Sequence, residues 1–213
     1  MKSLRPLLLQ GLLTLAVGMS STGAQAGNQQ YEPLAASVQA ALHAAVADQA
    51  PLDPSFQRSP ERARWLAEMS NRLARRIPDE AYRSELLRAV HYEATRAGLD
   101  PQLVLGLIQV ESGFKKYALS TAGARGYMQV MPFWARLIGN QETNLFHMRT
   151  NLRFGCTILR HYLDIEQGDL YRALGRYNGS LGQPEYPNMV KGAWQGNWLF
   201  TRQVAAANTP VRQ

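Results

Sequence analysis

The sequence predicts a mainly α fold with a minimal or absent β element, and three observations lead to this prediction. Apolar residues recur at intervals of three and four along most of the chain, as they do on one face of a helix. Helix-start signals precede these runs, as in Ser59-Pro60-Glu61 and Asp100-Pro101. The alternation typical of a half-buried strand is absent, except around residues 126–130.

The boundaries of the predicted helices follow from local signals. Prolines and capping residues open the segments, and proline or glycine ends most of them. Helices are predicted over residues 34–48, 60–77, 79–98, 101–111, 132–139, 151–167 and 169–177. The stretch 49–59 contains proline and is interpreted as a linker, and residues 183–200 form a segment rich in proline and tryptophan.

The composition limits the number of domains and the class of protein. The chain has 213 residues, 46% of them hydrophobic, which suits one packed domain with extensions rather than two large domains. This hydrophobic fraction excludes a mainly disordered chain and a polytopic membrane protein. The single cysteine, Cys156, excludes an intramolecular disulfide and a site built on paired cysteines. The formal net charge of +7 favours an anionic partner without specifying its class.

Residues 1–26 have the three parts of a secretory signal peptide. Lys2 and Arg5 precede an apolar run over residues 7–17, and an Ala-x-Ala motif stands at 24–26. The run is shorter than the ~20 residues of a membrane-spanning helix. We therefore expect cleavage, no stable membrane insertion afterwards, and a periplasmic or secreted bacterial protein. Removal of the signal lowers the formal charge from +7 to +5, and export itself disfavours a nucleic-acid partner.

The helix over residues 101–111 ends in a carboxylate that could carry chemistry. This helix is apolar on two neighbouring faces and so belongs in the core, with Ile108 one turn before Glu111. A carboxyl group at that place is partly desolvated, which raises its pKa. An acid still protonated near neutral pH is what protonation of a glycosidic oxygen requires. The alternative is a surface glutamate at a helix end, where its charge opposes the helix dipole.

Further motifs follow Glu111 in a fixed order. They are Ser112-Gly113-Phe114, then a stretch from Ser120 to Pro132 that contains Gly123-Ala124-Arg125-Gly126 and Met128-Gln129, and finally Tyr177-Asn178-Gly179. The set resembles the family 1 soluble lytic transglycosylases, whose pattern is E-S-x-F, S-x-x-G-A-x-G-x-M-Q-x-x-P and Y-N-x-G. The match covers about residues 95–180. The resemblance implies a lysozyme-like (goose-type) helical domain, preceded by a helical N-terminal extension, that binds peptidoglycan glycan strands.

The resemblance also implies roles for individual residues. Glu111 is the expected catalytic acid and base, and five residues are expected to bind substrate: Ser120, Met128, Gln129, Tyr177 and Asn178. Gln129 is expected to hold Glu111 and the substrate in place, and the Tyr177 phenol to hydrogen-bond to either of them. From the residues alone, Ser120 could equally be a turn former, and Met128 and Tyr177 core residues. Many relatives carry a Glu-Thr-x-x-Tyr-Val segment farther on, which is not found here; Tyr186 is at most a partial substitute and is not counted among the site residues.

The domain organisation predicted from these patterns has four parts. Residues 1–26 are the signal peptide, 27–80 a helical extension with the linker, 81–200 the lysozyme-like transglycosylase domain, and 201–213 a flexible tail. Residues 27–80 match no motif, which leaves open a helical segment packed on the domain or an arm that docks a protein partner.

The reaction implied by the resemblance needs one carboxyl group. No second acid stands in a recognisable pattern, and a lone acid fits a substrate-assisted route, which is an exception to the two-carboxylate rule of glycosidases. The expected product is a 1,6-anhydro-muramoyl end. The alternatives are a muramidase on the same fold and a non-catalytic glycan-binding module. No metal or other cofactor is expected, because the four histidines are scattered and no H-E-x-x-H occurs. A nucleic-acid clamp at the G-x-x-G of 123–126 is disfavoured by export and by the Met-Gln-x-x-Pro that follows.

Overall fold

The computed structural model describes residues 29–47 and 56–201, with no account of the Gln57 side chain. The predicted signal peptide, the first part of the predicted linker and nearly all of the predicted tail lie outside these residues.

The described residues form eight α-helices. They are α1 (Ala36–Ala47), α2 (Pro60–Leu73), α3 (Glu80–Arg96), α4 (Pro101–Ser112), α5 (Pro132–Ile138), α6 (Met148–Ile165), α7 (Leu170–Asn178) and α8 (Glu185–Ala193), with a 3-10 turn at Phe56–Arg58 and a π-helical turn at Trp194–Trp198. Within residues 29–47 and 56–201 the only β-type pairings are two isolated bridges, which join Arg125 to Leu119 and to Val130. The predicted mainly α class is confirmed.

Two predicted boundaries differ from the structure by three residues or more, and one helix was not predicted. Helix α6 begins at Met148, three residues before the predicted start. The second helix ends at Leu73 rather than at Ile77, because residues 74–76 form a turn before Pro78. The segment after residue 183 contains α8, which the sequence did not predict. Its proline, Pro187, lies in the first turn, where a missing N–H costs no intrahelical bond.

Helix α4 lies at the centre of the fold, as its two apolar faces predict. It packs against α3, α8 and the π-helical turn. Its residues 103–108 are all buried. Gly106 allows the π-helical turn to pack directly on the backbone of α4, because a Cβ atom built at this position would stand 2.8 Å from the backbone nitrogen of Trp194. The end of α4 is therefore held from several sides.

A buried ion pair joins α3 to α6. Glu93 is 1% exposed, and its Oε1 lies 3.0 Å from Nη2 of Arg153, with Arg96 and Arg149 at 3.7 Å from its carboxylate oxygens. Cys156, also on α6, is a buried free cysteine, as the apolar face of this helix predicts. No helix in the part of the chain that the structure describes is long and apolar enough to cross a membrane.

Candidate active site

Glu111 lies in the last turn of α4, enclosed by the core. Only 6% of the residue is exposed. The helix is capped by Gly113, which adopts the left-handed conformation (φ 57°) that glycine accepts without strain. Because α8 packs across this end of α4, the carboxyl group is directed into protein rather than into water.

The two oxygens of the Glu111 carboxyl group have different surroundings. Oε1 accepts a hydrogen bond from the hydroxyl of Tyr186 on α8. Oε2 is buried and has no hydrogen-bond partner. Burial raises the pKa of Glu111 to about 8, while the Tyr186 bond acts in the opposite direction. The group is therefore mostly protonated at neutral pH and has an oxygen without a partner, as a proton donor needs.

Gln129 braces the loop over residues 118–130, which follows α4. Its Nε2 donates to the carbonyl oxygens of Ala118 (3.1 Å) and Gly126 (3.0 Å). Gln129 is itself buried and has a positive φ of 47°, so its conformation is tied to the shape of the loop. Its amide hydrogen bonds go to this backbone and not to Glu111, to which the sequence resemblance had assigned it.

Asn151 on α6 ties the same loop to the core, and the sequence analysis did not identify it. Its Oδ1 accepts from the Met128 N–H, and its Nδ2 donates to the carbonyls of Arg125 and Leu145, each at 2.8 Å. A Cβ atom at Gly126 would lie 2.5 Å from this Nδ2, so the loop can approach only through glycine. Nothing in the sequence signalled this role, because Asn151 stands at the start of the predicted helix, where asparagine is a common cap.

Tyr177 and Met128 form a packed layer beside Glu111. The Tyr177 hydroxyl donates to the Met128 carbonyl at 2.8 Å, rather than to Glu111. Burial raises the pKa of Tyr177, and the Glu111 charge adds to this rise, which places the two groups in electrostatic contact. The Met128 side chain is fully buried and packs against Gly155 of α6. Both residues are therefore core residues that support the site, which is the alternative that the sequence left open for them.

Asn178 and Ser120 complete the set of residues expected to bind substrate. Asn178 donates from Nδ2 to the Ser180 hydroxyl at 3.0 Å, and its buried Oδ1 has no partner. Ser120 is half-buried, and its Oγ accepts from the Ala124 N–H at 3.0 Å. Ser120 thus shapes the loop turn, while Asn178 keeps an unpaired acceptor.

An aromatic surface with adjoining cations lies beside the loop and includes its residue Arg125. Tyr117 is 71% exposed, and its ring centre is 6.0 Å from that of Phe146. The Lys116 ammonium stands 5.2 Å from the Tyr117 ring, and the Arg125 guanidinium 5.8 Å from the Phe146 ring. We call these four residues the aromatic platform. An exposed cluster of this kind can contact both an apolar face and an anion.

Two further carboxylates among residues 29–47 and 56–201 have side chains that are at most 7% exposed, and both are engaged by arginine: Glu93 by Arg153, and Glu166 by Arg172 and Arg176. In the same residues, no group of three or more histidine, cysteine, aspartate or glutamate side chains is arranged to hold a metal ion.

Comparisons with known proteins identify relatives of this chain. The family model for the transglycosylase SLT domain matches residues 88–189. A transglycosylase of Enterobacteria phage PRD1 is 39% identical over 93 residues, which cover 44% of this chain and 34% of that protein. The membrane-bound lytic murein transglycosylase C of Actinobacillus pleuropneumoniae serotype 5b is 48% identical over 48 residues, which cover 22% of this chain and 13% of the relative.

A solved structure is also similar. The X-ray structure of an inactive mutant of the lytic transglycosylase Slt from Pseudomonas aeruginosa matches with a TM-score of 0.41 and 20% identity, over 76% of this chain and 32% of that chain. The aligned part thus spans about a third or less of each of these three proteins.

Proposed function

We propose that this chain is a lytic transglycosylase of peptidoglycan and that Glu111 is its catalytic acid and base, a proposal supported by the match of residues 88–189 to the family model for the transglycosylase SLT domain. Its target is the β-1,4 bond between N-acetylmuramic acid and N-acetylglucosamine. The observation that carries the proposal is the Glu111 carboxyl group, which is buried, has a pKa raised to about 8 and has one oxygen without a partner. The matched residues include Glu111 and every residue that we place around it.

The first step uses Glu111 as an acid. Its carboxyl proton passes to the glycosidic oxygen, the bond from that oxygen to C1 of the muramoyl sugar breaks, and the N-acetylglucosamine part leaves with a free hydroxyl group. The acetamido oxygen of the muramoyl sugar stabilises the cationic C1. Burial makes this step feasible at neutral pH, because it keeps the proton on Glu111 in the free enzyme.

The second step uses Glu111 as a base. The carboxylate accepts the proton of the C6 hydroxyl group, whose oxygen forms a bond to C1 and displaces the acetamido oxygen. The product is a 1,6-anhydro ring, Glu111 is protonated again, and no water is consumed. One carboxyl group suffices for both steps, which agrees with the engagement of Glu93 by Arg153.

Tyr186 acts in this scheme as a positioning residue. Its hydroxyl holds Oε1 of Glu111, which leaves Oε2 as the oxygen that faces the reacting atoms. The same bond stabilises the carboxylate that exists between the two steps. Asn151 and Gln129 hold the loop, and Asn178 offers its unpaired Oδ1 to a hydroxyl or amide donor of the sugar.

The aromatic platform is proposed to bind the glycan at a distance from the scissile bond. The apolar face of a sugar ring packs on Tyr117, and Lys116 and Arg125 attract the lactyl and peptide carboxylates of the substrate. The positive net charge of the chain adds a long-range attraction. This binding should weaken at raised ionic strength.

The cell wall lies outside the cytoplasm, so the proposed activity requires export. The predicted signal peptide supplies it, and the relatives from Actinobacillus and Haemophilus are named membrane-bound lytic murein transglycosylases. We propose a periplasmic or secreted enzyme that needs no metal or other cofactor.

The test is mass spectrometry of the products after digestion of purified peptidoglycan. The chain from residue 27 onward is compared with its Glu111→Gln variant, and we expect anhydro-muramoyl products from the first and none from the second. Ordinary reducing ends would instead identify a muramidase. Retained glycan binding without products would identify a binding module, and products from the Glu111→Gln variant would refute the role of Glu111.

A further inference from the structure

Residues 29–34, which we call the N-terminal strap, run from the centre of the site to the start of α1. Gln29 is 4% exposed, and its amide lies beside the Tyr177 hydroxyl, where it acts against the rise in the Tyr177 pKa that burial causes. Neither Oε1 nor Nε2 of Gln29 makes a hydrogen bond of good geometry. The first described residue of the chain is therefore inserted next to the tyrosine that borders Glu111.

The rest of the strap is held by exposed contacts. The Tyr31 ring stands edge-on to Phe133, with 5.8 Å between ring centres, and Tyr31 is 60% exposed. Glu32 Oε1 lies 3.0 Å from Nη1 of Arg176, and the Glu32 side chain is 52% exposed. Such a surface ion pair contributes little, and it weakens with salt.

The segment behind the strap is anchored more firmly. Helix α1 packs on α5 and α6, it buries Leu42 and Val46, and Gln39 donates to the Leu137 carbonyl at 2.7 Å. A cavity of about 260 Å³ remains between the strap and residues 179–183. The strap is thus anchored firmly where it joins α1 and is incompletely packed along its length.

We propose that the strap covers the substrate cleft beside Tyr177 in the free enzyme, and that a glycan strand must displace it before Glu111 can react. This inference rests on the proposed function. The strap adjoins Tyr177, and the next residue, Asn178, keeps a buried oxygen without a partner, so release of the strap would open this side of the site to the glycan. The burial of an unpaired amide is unfavourable and so keeps the strap displaceable.

The glycan can replace the strap because it satisfies polar groups that the strap leaves unpaired. Its acetamido and hydroxyl groups supply both donors and acceptors, which suit the unpaired oxygens of Asn178 and Glu111. Displacement returns the Gln29 amide to water. The apparent affinity for glycan is then the intrinsic affinity multiplied by the fraction of molecules with an open cleft.

The first experiment weakens the strap without touching the site. Glu32→Gln removes the charge that pairs with Arg176 without adding a cation, and the combined variant Gln29→Ala, Tyr31→Ala, Glu32→Ala removes all three anchoring side chains. Since a strap closed in nine of ten molecules lowers the apparent affinity about tenfold, we expect KM to fall by about three- to tenfold with kcat unchanged. Ser37→Ala, at an exposed position of α1, is the matched control and should leave KM unchanged. An unchanged or raised KM in the combined variant would overturn the proposal.

The second experiment follows the strap itself and does not depend on turnover. In the Glu111→Gln protein, a nitroxide spin label is attached to the cysteine introduced by Tyr31→Cys. The native Cys156 is buried and does not compete for the label. Saturating soluble glycan strands should narrow the spectral lines, because the strap is released. Unchanged or broadened lines with bound glycan would refute displacement. Line narrowing without anhydro products in the unmutated enzyme would refute the proposed function and leave the strap proposal standing.

Discussion

Replacing Glu111 by glutamine should abolish the activity and, above pH 5, stabilise the fold by an amount that grows with pH. The carboxyl group is enclosed in protein, and burial raises its pKa from 4.5 to about 8. The folded state therefore holds a proton that the unfolded chain has already lost between these two pH values. Stability that is present below pH 4.5 is lost as the pH rises towards 8.

The size of the effect follows from this shift. Each pH unit in the window removes about 1.4 kcal/mol from the free energy of unfolding. The loss relative to pH 4.5 reaches about 3 kcal/mol at neutral pH and about 4 kcal/mol near pH 8. Glutamine carries no titrating proton, and its carbonyl can still accept the bond from Tyr186. The variant should therefore escape this loss.

The assay is urea unfolding of both proteins at intervals from about pH 5 to pH 8. All other titrating groups are shared, so the difference between the two free energies isolates residue 111. Glu142→Gln, on an exposed turn, is the control for the removal of a carboxylate. A difference that stays constant with pH, or that favours the unmutated protein increasingly as the pH rises, would refute the argument for a buried acid.

Three further predictions concern the surroundings of the site. Tyr186→Phe removes a hydrogen bond that stabilises the Glu111 carboxylate, so the pKa of Glu111 should rise. The basic limb of the pH–activity profile should therefore move to higher pH, and kcat should fall. A shift of this limb to lower pH would contradict the prediction. Gly123→Ala and Gly126→Ala both strain a positive φ (89° and 74°), but only at 126 would the Cβ meet atoms within 4 Å. Urea unfolding should therefore show a loss of about 1 kcal/mol for the first and more than about 3 kcal/mol for the second, and equal losses would count against the steric argument. Tyr117→Ala should raise KM for glycan strands by about fivefold without changing kcat, because it removes a binding surface away from the reacting atoms; an unchanged KM would exclude the platform.

Helix boundaries were predictable where a local signal sets them. Asp100, Pro101 and Gly113 delimit α4 through a cap, a fixed φ and a left-handed residue, and all three act over a few residues. The helix α8 was not predictable in this way, because two prolines and few apolar repeats hide it. It is stabilised by tertiary packing, in which Tyr186 and Val190 are buried against the core.

The candidate site was predictable in its residue types and less so in its contacts. A raised pKa for Glu111 followed from its place at the end of an apolar helix, and the structure agrees. Its hydrogen-bond partner comes from a residue 75 positions away, and no local pattern encodes such a pairing. The same holds for Asn151, which reaches the loop across 23 to 26 positions.

The packing of Gly106 on Trp194 determines how far the chain can be truncated at its C-terminal end without exposing α4. The family match ends at residue 189, yet the backbone of Trp194 closes against the helix that carries the acid, and Trp198 donates to Gln109 at 2.9 Å. A fragment trimmed to the matched residues would uncover the glycine face of α4 to solvent. The smallest piece that keeps this helix in place therefore runs at least through Trp198, and expression boundaries drawn from sequence similarity alone would sever it.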